Sequence, residues 1–211
     1  MRGEIPPRLR IILRCQSGVV TRRQALTARL SPGVLASEVR SGRWQQLYRG
    51  VYAAFAGQVS REARLWAAVL YAGDGARLSH DTAAELYGLA EPAPLIHVTV
   101  PAARRVRPAA GLRIHICASD VRPGFAEGTL PCTRPEETVL DLVHGAASPE
   151  AARALVALAT TRRLASAGGL ATEMASRKRL RWRRQLAGML AAAPVRAAQA
   201  DARITAKRLP P

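Results

Sequence analysis

Apolar positions recur with a helical period at the start of the chain. Leu9, Ile12 and Leu13 fall on one helical face over residues 8–16, with Arg8, Arg10 and Arg14 off it. Gly18 breaks that helix, and Val19-Val20 makes a short apolar step. Thr21 is placed to cap a second helix, Arg22 to Arg29, that turns Ala25, Leu26 and Leu30 inward. Ser31-Pro32 is a cap followed by proline at the first helical position. The third helix buries Leu35 and Val39 and stops at Ser41-Gly42. Alternation then takes over. Trp44, Tyr48 and Tyr52 around the Arg49-Gly50 turn predict a β-hairpin whose aromatic residues pack on the three-helix core.

Beyond residue 57 the pattern changes. Ser60 opens a helix with Leu65, Trp66, Val69 and Leu70 on one side, closing at Gly73. A helix from Thr82 to Tyr87, capped by Ser79 or Asp81, ends at Gly88. Residues 95–100 and 112–117 read as strands, separated by the basic loop Arg104 to Arg107. Thr133 and Glu136 form a capping box for a helix carrying Val139, Leu140, Leu142 and Val143. Ser148-Pro149 caps another helix through Leu158. Residues 170–193 read as one strongly basic helix whose Arg177–Arg184 cluster is a solvated face or a second anionic-partner surface.

These elements predict an α+β chain. Residues 1–57 form a winged helix-turn-helix, residues 58–190 a small α/β region with a short β-sheet and several helices, and residues 191–211 a disordered tail.

Charge sharpens the functional expectation. The 211 residues carry 32 Lys+Arg against 15 Asp+Glu, a net charge of +17, which favours a polyanionic partner such as nucleic acid. Nearly all of the excess is arginine in an alanine-rich chain, so part of it reflects a GC-rich coding sequence. Three cysteines without metal-ligand spacing fit a reducing cytosol. No apolar run reaches the roughly 18 residues of a membrane span, and the N-terminus has no signal-peptide pattern. A cytoplasmic protein without a membrane partner is expected.

With a helix pair followed directly by a hairpin, the expected partner is double-stranded DNA. Thr21, Arg22, Arg23 and Gln24 open the second helix, where helix dipole, free N–H groups and two guanidinium groups favour a phosphate. Ser31, Val34, Ser37 and Arg40 of the third helix are candidates for base edges, Val34 for a thymine methyl and Arg40 for guanine or a phosphate. Arg43 and Arg49 flank the hairpin.

Catalytic chemistry has weaker signals. His80-Asp81 reads as a helix start rather than a catalytic pair. His97 and His115 sit on strands that pair in one arrangement, but two imidazoles fall short of a four-ligand zinc site. Glu136, Glu137 and Asp141 are explained by helix capping and dipole pairing. Cys15, among apolar and arginine residues, reads as a buried thiol. No enzyme, metal or cofactor is expected.

The stretches Gly18-Val-Val-Thr-Arg-Arg-Gln-Ala-Leu26, Val39–Tyr52, Leu78–Leu89, Ile96–Pro101 and Thr133–Leu142 resemble the AbiEi family of antitoxins from type IV toxin–antitoxin systems, in its actinobacterial form. The resemblance implies an operator-binding winged helix-turn-helix, repression of the shared operon, and a nucleotidyltransferase toxin as partner. Two departures stand out. Relatives tend to carry arginines on the exposed side of the third helix, where this chain has Ala36, Ser37 and Glu38. Many relatives also continue into a domain resembling very-short-patch-repair endonucleases, and Ala191–Pro211 has neither its strands nor its carboxylates. Two alternatives therefore stand beside the repressor. One is an interaction protein that neutralises the toxin and keeps a vestigial DNA-binding domain. The other is a truncated remnant of an endonuclease-fused homologue.

Overall fold

The computed structural model describes residues 5–117 and 129–190, so the tail expected over 191–211 lies outside the described residues. The fold is mixed α+β with two small sheets. It divides into two compact units, residues 5–82 with 93–117 and 129–132, and residues 83–92 with 133–190.

The first unit begins with α1 (Pro7–Cys15), β1 (Val19–Thr21), α2 (Arg22–Thr27), α3 (Pro32–Arg40), β2 (Gln45–Tyr48) and β3 (Val51–Ala53). Local chemistry sets these boundaries. Gly18 takes a φ of +79°, and a Cβ there would lie 2.8 Å from the Phe55 ring. Thr21 and Gln24 close a capping box at α2, and Arg29, at a φ of +69°, lies just beyond its end, shorter than expected. Ser31 caps α3 through its hydroxyl, 3.2 Å from the Val34 N–H. The three strands pair antiparallel in the order β1-β3-β2, with an irregularity in β2 between Gln46 and Tyr48.

Leu9, Val20, Ala25, Leu30, Leu35 and Trp44 form one apolar cluster under the three helices, with Tyr52 packed against it. Tyr48 departs from the expected packing. It joins a second cluster of Val19, Val51, Ala63, Trp66 and Ala67, its ring 5.0 Å from that of Tyr71. Cys15, expected to be buried, is exposed.

The same unit continues through α4 (Arg61–Ala72) and β4 (Arg77–Leu78), the start of α5 (His80–Leu86), and β5 (Ile96–Pro101) and β6 (Leu112–Cys117). α4 contacts both sheets, so Ala63, Ala67, Ala68 and Ala72 are buried along with Leu65, Trp66 and Val69, a wider apolar face than the single side expected. The second sheet has the order β4-β5-β6. β4, which has no pattern of its own, pairs antiparallel with β5. β5 and β6 run parallel although residues 102–111 between them contain no helix. Part of the expected basic loop is structural: Arg104 Nε donates to the Ala72 carbonyl at 2.8 Å and covers Gly73.

In the second unit, α6 (Pro135–Gly145), α7 (Pro149–Thr161), α8 (Ala167–Ser176) and helical residues 183–190 enclose Leu140, Val143, Val156, Leu170 and Leu186. α6 starts one residue later than the expected capping box. Pro135 takes the first helical position, so Arg134 is the N-cap and Glu137, not Glu136, accepts its N–H at 3.1 Å. Thr133 instead bonds the Thr138 hydroxyl at 2.7 Å. The basic helix expected over 170–193 is interrupted at residues 177–182, where Trp182 has a φ of +65°. Nor is Arg177 part of a solvated face. It reaches Asp141 at 2.7 Å, Glu173 at 3.2 Å and the Glu137 carbonyl at 2.9 Å.

Candidate nucleic-acid interface

The N-terminal elements bring the expected residues to one end of α2, one helix and one hairpin. Arg22 opens α2, and its N–H donates to the Gly50 carbonyl in the hairpin turn at 2.8 Å. The Trp44 N–H donates to the Glu38 carbonyl at 3.0 Å, fastening the end of α3 to the entry of the hairpin. α2, α3 and the hairpin are thus joined by backbone bonds into one frame for the side chains they carry.

Within that frame the ten candidate residues differ in what they have left to offer. The Thr21 hydroxyl accepts the Gln24 N–H at 3.0 Å, and Gln24 Oε1 accepts the Thr21 N–H at 2.9 Å. With the Arg22 N–H also engaged, the start of α2 keeps little of the backbone donor set a phosphate would use. Its remaining attraction is side-chain charge. Arg22 is exposed, and Arg23, also exposed, lies 3.2 Å from Asp74 in a pair open to solvent. Such a pair contributes little and yields readily to a phosphate.

On α3, Ser31 spends its hydroxyl on the cap, and half-buried Val34 packs against the first apolar cluster. Ser37 and Arg40 are exposed. Arg43 is held by Glu38 through two contacts, and Arg49 stands exposed at the hairpin turn beside Gly50. Hydrogen bonding to Arg43 holds the Glu38 carboxyl below the usual carboxylate range. Exposed are Arg22, Arg23, Ser31, Ser37, Arg40 and Arg49, Ser31 with its hydroxyl on the cap and Arg23 beside Asp74, and Arg43 is exposed but held by Glu38.

A second constellation lies on the other sheet of this unit. His80, His97 and His115 each offer a nitrogen within 4.8 Å of the others. His115 Nε2 is 3.2 Å from His97 Nδ1, and the His80 and His115 rings stack with centroids 3.7 Å apart. Burial pushes the His97 imidazole down, against the opposing pull of Asp81, whose Oδ2 lies 3.7 Å from His97 Nε2. Sequence pattern identified His97 and His115 but not the third member. The parallel pairing of β5 and β6 sets Thr99 beside His115 and His97 beside Arg113, and it takes the turn from β4 into α5 to add His80.

Among the described residues no helix is long and apolar enough to cross a membrane. No protein-family model matches the chain, and no curated protein matches it. The crystal structure of the RV2827C protein from Mycobacterium tuberculosis is similar at 20% sequence identity, with 71% of this chain and 70% of that chain covered and a TM-score of 0.42.

Proposed function

We propose that α1 through β3 form a winged helix-turn-helix and that the protein binds duplex DNA through it, as an antitoxin-type repressor of a type IV toxin–antitoxin operon. The observation that supports this reading most is the order α1-β1-α2-α3-β2-β3 on a β1-β3-β2 sheet, with Arg40 exposed on α3 and Arg49 at the hairpin turn. In this reading α3 enters the major groove, and the hairpin is the wing lying along the backbone. Arg22, Arg23 and Arg49 neutralise phosphates and supply most of the affinity, while Arg40 and Ser37 reach base edges. The net charge of +17 favours such a partner. The resemblance of five stretches to the AbiEi antitoxins supports the repressor role, with a nucleotidyltransferase toxin as second partner.

The experiment is a titration of the full chain into its own upstream DNA and into a scrambled duplex, at low and physiological salt. Tight binding to the upstream DNA alone, surviving physiological salt, is the expected result. Equal weak binding to both, vanishing with salt, would overturn sequence-specific repression.

The Glu38–Arg43 pair favours a second reading. It removes one cation from the proposed DNA face, and Ala36, Ser37 and Glu38 add none. There the protein acts by neutralising a nucleotidyltransferase toxin through residues 58–190. Loss of DNA binding without loss of toxin neutralisation would select it.

A further inference from the structure

We propose that His80, His97 and His115 bind a divalent metal ion of the zinc class, with a fourth coordination position open to water or an anionic ligand. The proposal is independent of DNA binding and uses none of the residues assigned to it.

The three rings come from three elements, His97 from β5, His115 from β6 and His80 from the start of α5. Zinc–imidazole bonds are about 2.0–2.1 Å, so two nitrogens of a tetrahedral site stand about 3.3 Å apart. His115 Nε2 and His97 Nδ1 are 3.2 Å apart, a ring-to-ring hydrogen bond whose length matches that edge, so an ion enters by displacing the shared proton. A nitrogen of His80 lies within 4.8 Å of both; its ring stacks on that of His115 with centroids 3.7 Å apart, so binding requires the His80 side chain to turn until its lone pair meets the same ion.

The surroundings have the features of a prepared site. The His97 backbone is pinned on both sides: its N–H donates to Thr82 Oγ1 at 2.9 Å, and its carbonyl accepts the Ser79 N–H at 3.0 Å. Asp81 stands behind the ring, on the Nε2 side, while Nδ1 faces His115. At 3.7 Å the contact is charge attraction rather than a hydrogen bond, and a carboxylate near the outer nitrogen of a ligating histidine raises its basicity. His80 Nδ1 is 3.0 Å from Ser79 Oγ, a contact that the ring exchanges for the ion as it turns. His80 also holds a φ of +51°, a left-handed conformation uncommon outside glycine, and such strain clusters at ligand clamps.

The donor set selects the ion. Three imidazoles suit zinc, copper, nickel or iron rather than magnesium or calcium, which take oxygen. Structural zinc sites are closed by four protein ligands, whereas three leave a position open. Arg113, in register with His97 on the neighbouring strand, opposes the cation but favours an anion at that open position.

The test uses the full chain made without a polyhistidine tag, stripped with a chelator, and titrated with Co2+ and then Zn2+. Expected are one equivalent of Co2+ with the intense visible absorption of a four-coordinate site, and its displacement by Zn2+. His80→Gln and His115→Gln, each checked for native circular dichroism, should weaken binding more than about 100-fold, and Asp81→Asn about 10–100-fold. His144→Ala and Cys15→Ser should leave it unchanged. Absence of saturable binding to the folded wild type overturns the site. So does binding that persists in His115→Gln or disappears with Cys15→Ser.

Discussion

Glu38 and Arg43 form a two-pronged ion pair, Nε to Oε2 at 2.7 Å and Nη2 to Oε1 at 2.8 Å, that ties the last turn of α3 to the entry of the hairpin. The pair occupies a cation that would otherwise face a phosphate. Glu38→Gln is therefore expected to tighten binding to every duplex and to steepen the dependence of log K on log salt by about one counterion. Fluorescence anisotropy across a salt series measures both.

The same pair sets a pH dependence of stability. Arg43 lowers the Glu38 pKa in the folded protein, so the pair's contribution is fully present above the ordinary carboxylate value of 4.5 and is lost as pH falls through the lower folded value. Thermal melts of wild type and Glu38→Gln should differ at neutral pH and converge under acid. A difference that persists unchanged at the acid end would contradict the assignment.

Arg40 and Arg49 play different parts in the proposed complex. Arg40→Ala should cost roughly 1–3 kcal/mol on the cognate site and blur the preference at one base pair. Arg49→Ala should weaken all sequences alike and reduce the salt slope by about one. Competition titrations against single-base variants of the upstream duplex separate the two.

Thr21 and Ser31 act on stability before they act on DNA. Each caps a helix through a hydroxyl that accepts a backbone N–H. Thr21→Ala and Ser31→Ala should each lower unfolding free energy by about 1 kcal/mol in denaturant titrations, with unchanged slope.

Arg177 carries a larger share of stability in the second unit. Its side chain is only 19% exposed and satisfies Asp141 and Glu173, themselves 16% and 14% exposed. Arg177→Met removes one cationic partner from each carboxylate where water reaches them poorly, Glu173 keeping Arg134 at 3.3 Å. A loss of about 2–3 kcal/mol is expected, below the full value for a wholly buried pair, with DNA affinity scarcely altered.

What the chain discloses by itself follows the range of the interactions. Caps at Thr21, Ser31, Ser60 and Ser148 are legible because donor and acceptor lie three residues apart. The hairpin is legible because its turn and alternation are local too. β4 has only two residues and no period, so its strand character exists through β5 on one side and a parallel bridge from Leu78 to Cys132 on the other. Arg177 looks like any surface arginine until α6 places Asp141 and the Glu137 carbonyl against it. The three histidines meet through a parallel pairing and a turn that no spacing encodes, so His80 read as an ordinary helix start. Sequence places ten candidates at the start of α2, on α3 and at the hairpin, but only the fold shows that local bonds engage Thr21, Gln24 and Ser31 while Arg40 and Arg49 stay exposed.

The most direct test of the central claim is amide hydrogen exchange of the full chain with and without its upstream duplex. The account predicts protection concentrated in residues 32–40 and 45–53, with lesser protection at the start of α2. Protection confined to residues 133–190, or spread evenly over both units, would contradict it.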